Sequence, residues 1–109
     1  MSQLLLAGGG HTHALLLRRW AMQPRSRPAV ESITLVSSRS TSLYSGLIPS
    51  ALSGALRPDQ CAIDLRNLCR AAGVSFVQAE IRGLDLQRRE LLLKGERLAM
   101  RFTWLSLNL

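Results

Sequence analysis

Residues 4–17 read LLLAGGGHTHALLL, an apolar run broken by three consecutive glycines and two histidines before it resumes. Gln3 to Ala7 is continuously apolar after its first residue, the pattern of a short strand buried on both faces. Gly8 to Gly10 form the turn. From His11 to Met22 the composition becomes helical: Ala14, Leu17 and Ala21 share one stripe with Leu16 and Trp20 beside it, and Pro24 and Pro28 close the segment. A strand that ends in G-x-G and opens a helix is the geometry that binds a dinucleotide pyrophosphate. Gly8 would supply the tight turn and Gly10 the close approach, with the amides from His11 to Ala14 directed at the anion.

Outward from this turn, SITLVS (Ser32 to Ser37) reads as a second strand through its β-branched residues, which completes a βαβ unit in under forty residues. The Ser-, Gly- and Pro-rich stretch that follows is expected to be loop with a helical turn or two. Asp59 to Ala72 has helical spacing and ends at Gly73, a C-cap. VSFVQAEI is a strand, residues 81–102 form a β-meander, and WLSLNL (104–109) is a nearly all-apolar strand of the kind normally buried in mid-sheet. The fold expected is α/β: a Rossmann-like βαβ unit with a parallel sheet plus a small β-meander.

The dinucleotide fingerprint is imperfect. His13 stands where its third glycine belongs, and Ser37 and Ser38, followed by Arg39, occupy the place of the acidic residue that takes the ribose hydroxyls. A serine can still hydrogen-bond a ribose. A P-loop is excluded, since GGGHTHALLL lacks the lysine and second glycine of G-x-x-x-x-G-K-[ST]. The pair His11 and His13 has no Cys, Asp or Glu close in sequence to complete a metal site. Beside a phosphate, either imidazole would favour its protonated form.

The 109 residues allow one small domain or a piece of a larger one. Fourteen basic residues, thirteen of them Arg, against seven acidic ones give a net charge of +7. That balance permits nucleic acid, an anionic membrane surface or a phosphorylated ligand. Because the arginines are scattered without interleaved aromatics, nucleic acid is not favoured. Cys61 and Cys69 match neither a C-x-x-C site nor a disulfide scaffold, so a cytoplasmic setting is expected. No apolar run approaches the length of a membrane span.

Three segments together, LLLAGGGHTHALLLRRW (4–20), ITLVSSRSTSLYSGLIPSALSG (33–54) and CAIDLRNLCRAAGVSFVQAEIRGLDLQRRELLL (61–93), resemble the start of FAD-dependent pyridine nucleotide oxidoreductases of the NADH dehydrogenase type. The nearest likeness is to the flavoprotein domain that some bacteria fuse to selenide, water dikinase, in which GGGH-S/T-H and Y-S-G-x-x-P also occur. The resemblance covers essentially the whole chain. It implies that Gly8, Gly9 and Gly10, with the amides of His11, Thr12 and His13, hold the pyrophosphate of FAD. Ser37, Ser38 and Arg39 would flank the adenosine ribose, the Glu80-Ile81 backbone would lie near the adenine, and Tyr44, Ser45 and Gly46, on to Pro49, would pass toward the flavin. The loop LYSGLIP lacks the C-x-x-x-x-C of disulfide reductases, which leaves passage of electrons from NAD(P)H through flavin to an acceptor such as a quinone. Peripheral membrane contact and a fused kinase would belong to the full-length protein only.

The resemblance also implies that WLSLNL stops just short of a glycine that contacts FAD, and that residues 1–109 are a partial FAD-binding domain without the NAD(P)H-binding and C-terminal domains. A truncated fragment with little catalysis of its own, and no catalytic residue among these 109, is the expectation. From another class, a small non-catalytic module would use the same glycine turn for a free nucleotide, or its arginine surface for RNA.

Overall fold

The computed structural model describes residues 2–43, 62–95 and 98–109. Its centre is a four-stranded parallel sheet of β1 (Gln3–Ala7), β2 (Ser32–Ser37), β5 (Ser75–Gln78) and β9 (Trp104–Leu107), in the order β5-β2-β1-β9. Helix α1 (His11–Met22) carries the chain from β1 to its neighbour β2, as the apolar-turn-apolar pattern predicts. A single 3₁₀ turn, Pro24–Ser26, begins the polar connection that follows.

Alternation along the sheet builds two cores. Leu6, Ile33 and Leu35 face the helices and pack with Leu17 and Trp20 of α1 and with Leu65 and Cys69 of α2 (Leu65–Ala72). Leu5, Ala7 and Val36 face the opposite way, onto Leu91 and Leu93. Those leucines belong to β7 (Glu90–Leu93), the middle strand of an antiparallel meander with β6 (Ile81–Asp85) and β8 (Ala99–Arg101). β1 can therefore be apolar throughout, because both of its faces are covered.

α2 begins later than the sequence predicts. Residues Ala62–Asp64 form β4, which pairs antiparallel with β3 (Thr41–Leu43), and Asp64 then caps the helix by accepting the Asn67 amide at 3.1 Å. Helical spacing from 59 onward could not reveal a strand whose partner lies twenty residues earlier. The C-terminal end is as predicted: Gly73 is left-handed (φ 72°), and the Arg27 guanidinium donates to the Ala72 and Gly73 carbonyls at 2.9 and 3.0 Å.

β9 corrects a second expectation. It pairs in parallel with β1, Leu5 opposite Leu105, but forms the edge of the sheet rather than its middle. Among the described residues it pairs on one side alone, and Trp104 and Leu107 remain 61% and 60% exposed despite their apolarity. Composition reports that a strand wants burial and cannot report whether a further neighbour is present.

Candidate functional site

The carboxyl ends of β1, β2 and β5 and the residues just beyond them open onto one cleft of about 570 Å³, within the usual range for small-molecule sites, ~300–1,000 Å³. It lies where β2 and β9 leave opposite sides of β1, the topological switch point at which open α/β sheets bind ligands. Gly8, Gly9 and Gly10 line it from the first turn, Ser37, Ser38 and Arg39 from the end of β2, and Glu80 and Ile81 from the chain after β5. The structure thus brings together three groups of residues that lie far apart in sequence. Thr41, Ser42 and Leu109 also line the cleft and escaped the sequence reading. The first two sit in a stretch expected to be loop with a helical turn or two and belong instead to β3, whose partner β4 lies about twenty residues further on. Tyr44, Ser45 and Gly46 lie outside the described residues.

Hydrogen bonds fix the walls. The Ser37 carbonyl accepts from the Ala79 amide at 2.9 Å, and Gln78 Nε2 donates to the Ser38 carbonyl at 3.3 Å, which ties the end of β2 to the end of β5. Gln78 is held in turn by Arg66 Nη2 at 3.2 Å, and Arg66 stacks over the Phe76 ring. The buried Ser37 hydroxyl accepts the Arg39 amide at 3.2 Å, so it braces the turn that presents Arg39. Of the two charged residues in the lining, Glu80 is an exposed partner of Lys94 at 3.7 Å, and its carbonyl accepts the Lys94 amide. The Arg39 guanidinium has no ion-pair partner among the described residues, which leaves a cation on the wall that follows β2.

The glycines are required by the protein itself. A Cβ at Gly8 or Gly10 would strike Asn108, and one at Gly9 would come within 2.7 Å of Ser37 Oγ and 2.6 Å of Leu65 Cδ1. Gly8 also has φ +101°, a conformation closed to L side chains without strain. Asn108, which follows β9, returns to the turn: its carbonyl accepts the Gly10 amide at 3.0 Å and its Oδ1 accepts the His13 amide at 3.1 Å.

This narrows the donor set expected from the sequence. The amides of His13 and Ala14 are taken by Asn108 and by the Gly10 carbonyl, while those of Gly9 and Thr12 have no protein partner among the described residues. No sequence signal marks Asn108, since its importance lies in a contact 95 positions away.

The His13 side chain turns inward rather than toward a ligand. It is fully buried, with Nδ1 2.7 Å from the Gly8 carbonyl and Nε2 2.8 Å from Ser106 Oγ. A carbonyl can only accept, so Nδ1 carries the proton, and Nε2 accepts from the serine hydroxyl. Burial holds this imidazole below its ordinary value of 6.5, against the opposing pull of the Gly8 carbonyl, contrary to the protonated ring that a phosphate neighbour would favour. With the folded value depressed, the unfolded chain takes up the proton first. Stability from His13 is therefore complete above pH 6.5 and is lost as the pH falls through the folded value. Urea midpoints measured between about pH 7.5 and 5.5 should decline more steeply in the wild-type protein than in His13→Gln; parallel declines would refute this source.

Cys69 is buried among the helices, with its thiol pushed up to about 11 by desolvation. Among the described residues no group of three or more His, Cys, Asp or Glu could hold a metal, and no helix is long and apolar enough to cross a membrane.

The same fold recurs in solved structures. The chain has a Rossmann-like fold. Sulfide:quinone oxidoreductase from Aquifex aeolicus superposes with a TM-score of 0.72 at 16% identity, over 98% of this chain and 24% of that one. NDH2 from Plasmodium falciparum in complex with NADH superposes with a TM-score of 0.72 at 18% identity, over 97% and 22%. A ferredoxin reductase from Rhodopseudomonas palustris gives 0.69 at 17% identity, over 98% and 26%. At such identities the likeness is one of fold, and the Rossmann-like chain spans about a quarter of the length of these proteins. No protein-family model matches it, and no curated protein matches it in sequence.

Proposed function

We propose that this chain is the N-terminal FAD-binding segment of a flavin-dependent NAD(P)H oxidoreductase. The observation that carries the reading is the convergence of the glycine turn, Ser37 to Arg39 and Glu80-Ile81 on one cleft at the carboxyl ends of the parallel strands. The cleft suits the ADP part of FAD: the Gly9 amide in its lining, with the Thr12 amide of the first turn of α1 just beyond, for the pyrophosphate, Ser38 and Arg39 for the ribose, and the backbone after β5 for the adenine. Hydroxyls of Thr41 and Ser42 add further donors. That solved structures of the same fold include a sulfide:quinone oxidoreductase, a ferredoxin reductase and a protein in complex with NADH supports the same reading.

The flavin, when bound, supplies hydride acceptance and onward electron transfer. The residues of the cleft, on this reading, bind and orient the ADP part of the cofactor. On this reading the chain is the ADP-binding part of a larger cytoplasmic enzyme, with little or no turnover alone. The resemblance further suggests a quinone as acceptor and a fused selenide, water dikinase.

Titration of the purified protein with FAD, ADP and a single-stranded oligonucleotide tests the proposal. FAD and ADP are expected to compete for one site, and Arg39→Ala to weaken ADP about tenfold, the loss of one charge-assisted contact. Tight oligonucleotide binding with a steep salt slope, and no competition from FAD, would instead establish a non-catalytic RNA-binding module.

A further inference from the structure

Helix α1 begins without a cap of its own. Gly10 holds the N-cap position and has no side chain, and the first turn contains no acidic residue. A serine or aspartate at position 10, the ordinary solution, is barred because its Cβ would meet Asn108. Asn108 supplies the missing cap from a different strand. Its Oδ1 accepts the amide of His13, the third helical residue, which is the hydrogen bond a capping side chain at Gly10 would have made. The His13 ring binds the Gly8 carbonyl and Ser106 Oγ, adding a second tie between β9 and the same turn.

An aspartate would cap this helix better, since a carboxylate at a helix N-terminus gains both a charge-assisted bond and the attraction of the helix dipole. The chain uses the neutral carboxamide instead, beside a cleft lined by Gly8, Gly9 and Gly10, the turn that leads into that N-terminus. We propose that Asn108 is a positioning residue which caps α1 without charge, so that the positive end of the helix stays available to the phosphates of the ligand. This rests on the dinucleotide reading above and adds to it: Asn108 holds the turn in shape, and its neutrality keeps the site selective for an anion.

Stability and affinity separate this role from a structural one. Asn108→Asp keeps the acceptor and adds a charge; Asn108→Ala removes the acceptor and adds none. Thermal midpoints and affinities for ADP, FAD and uncharged adenosine are to be measured for both variants and the wild-type protein. Asn108→Asp is expected to melt at or above the wild-type temperature, yet bind ADP and FAD about tenfold or more weakly, with adenosine affected less and the loss shrinking as salt is raised. Asn108→Ala is expected to melt lower and, where folded, to keep the wild-type ratio of ADP to adenosine affinity. Wild-type affinity in Asn108→Asp, equal losses for ADP and adenosine, or an Asn108→Asp protein less stable than Asn108→Ala would each overturn the inference while leaving the nucleotide site intact. A wild-type protein that binds neither ADP nor FAD would overturn both.

Discussion

Replacing Gly8 by alanine should cost about 4 kcal/mol, from ~1–3 kcal/mol of backbone strain and ~1–3 kcal/mol of forced displacement in a packed region. The residue sits at φ +101°, and the added Cβ would meet the carbonyl of Asn108 and the Cα of Leu109, neither of which can rotate aside as a long side chain could. The strand that must retreat is β9, whose hydrogen bonds run to β1, so the disturbance enters the sheet itself. Small domains have ~5–15 kcal/mol in total, and this single methyl group therefore removes a large share. Urea denaturation read by far-ultraviolet circular dichroism measures it. A loss below about 1 kcal/mol would show that β9 gives way easily, and with it that the turn is less firmly held than its contacts imply.

Leu6→Ala is expected to cost about 3 kcal/mol, within the ~2–5 kcal/mol seen when a buried leucine is truncated. Leu6 is fully buried beneath α1 and α2, and the close-packed helices cannot collapse into the space it leaves. Leu107→Ala offers the contrast: an apolar residue on the same sheet, but 60% exposed at its edge, where truncation should cost less than about 1 kcal/mol. Equal losses at the two positions would mean that the edge of the sheet is covered in solution. Denaturation midpoints at several protein concentrations would then show whether the cover is a second copy of the chain.

The central βαβ unit was legible because its information is local. The apolar run of β1, the stripe of α1 bounded by Pro24 and the β-branched residues of β2 each announce themselves within a dozen residues, and the structure has all three at the expected boundaries. The triple glycine marked the right turn, although its physical cause proved partly different: Asn108, Ser37 and Leu65 leave no room there for a Cβ. What stayed hidden depends on distant partners. The pairing of β3 with β4 displaced the start of α2, the edge position of β9 followed from sheet order rather than composition, and His13 turned inward because Ser106 and the Gly8 carbonyl satisfied both ring nitrogens. Asn108 was invisible for the same reason, being one polar residue at the close of an apolar strand.

The tie between Asn108 and the glycine turn also fixes when the cleft can come into being. A growing polypeptide makes the turn among its earliest residues, but the carboxamide that shapes it is 95 positions downstream of the amide it engages. Loop closure of that length ranks among the slower events of folding. Partly folded forms in which β9 has not yet docked on β1 hence lack this cap, and the cleft takes its shape together with that docking.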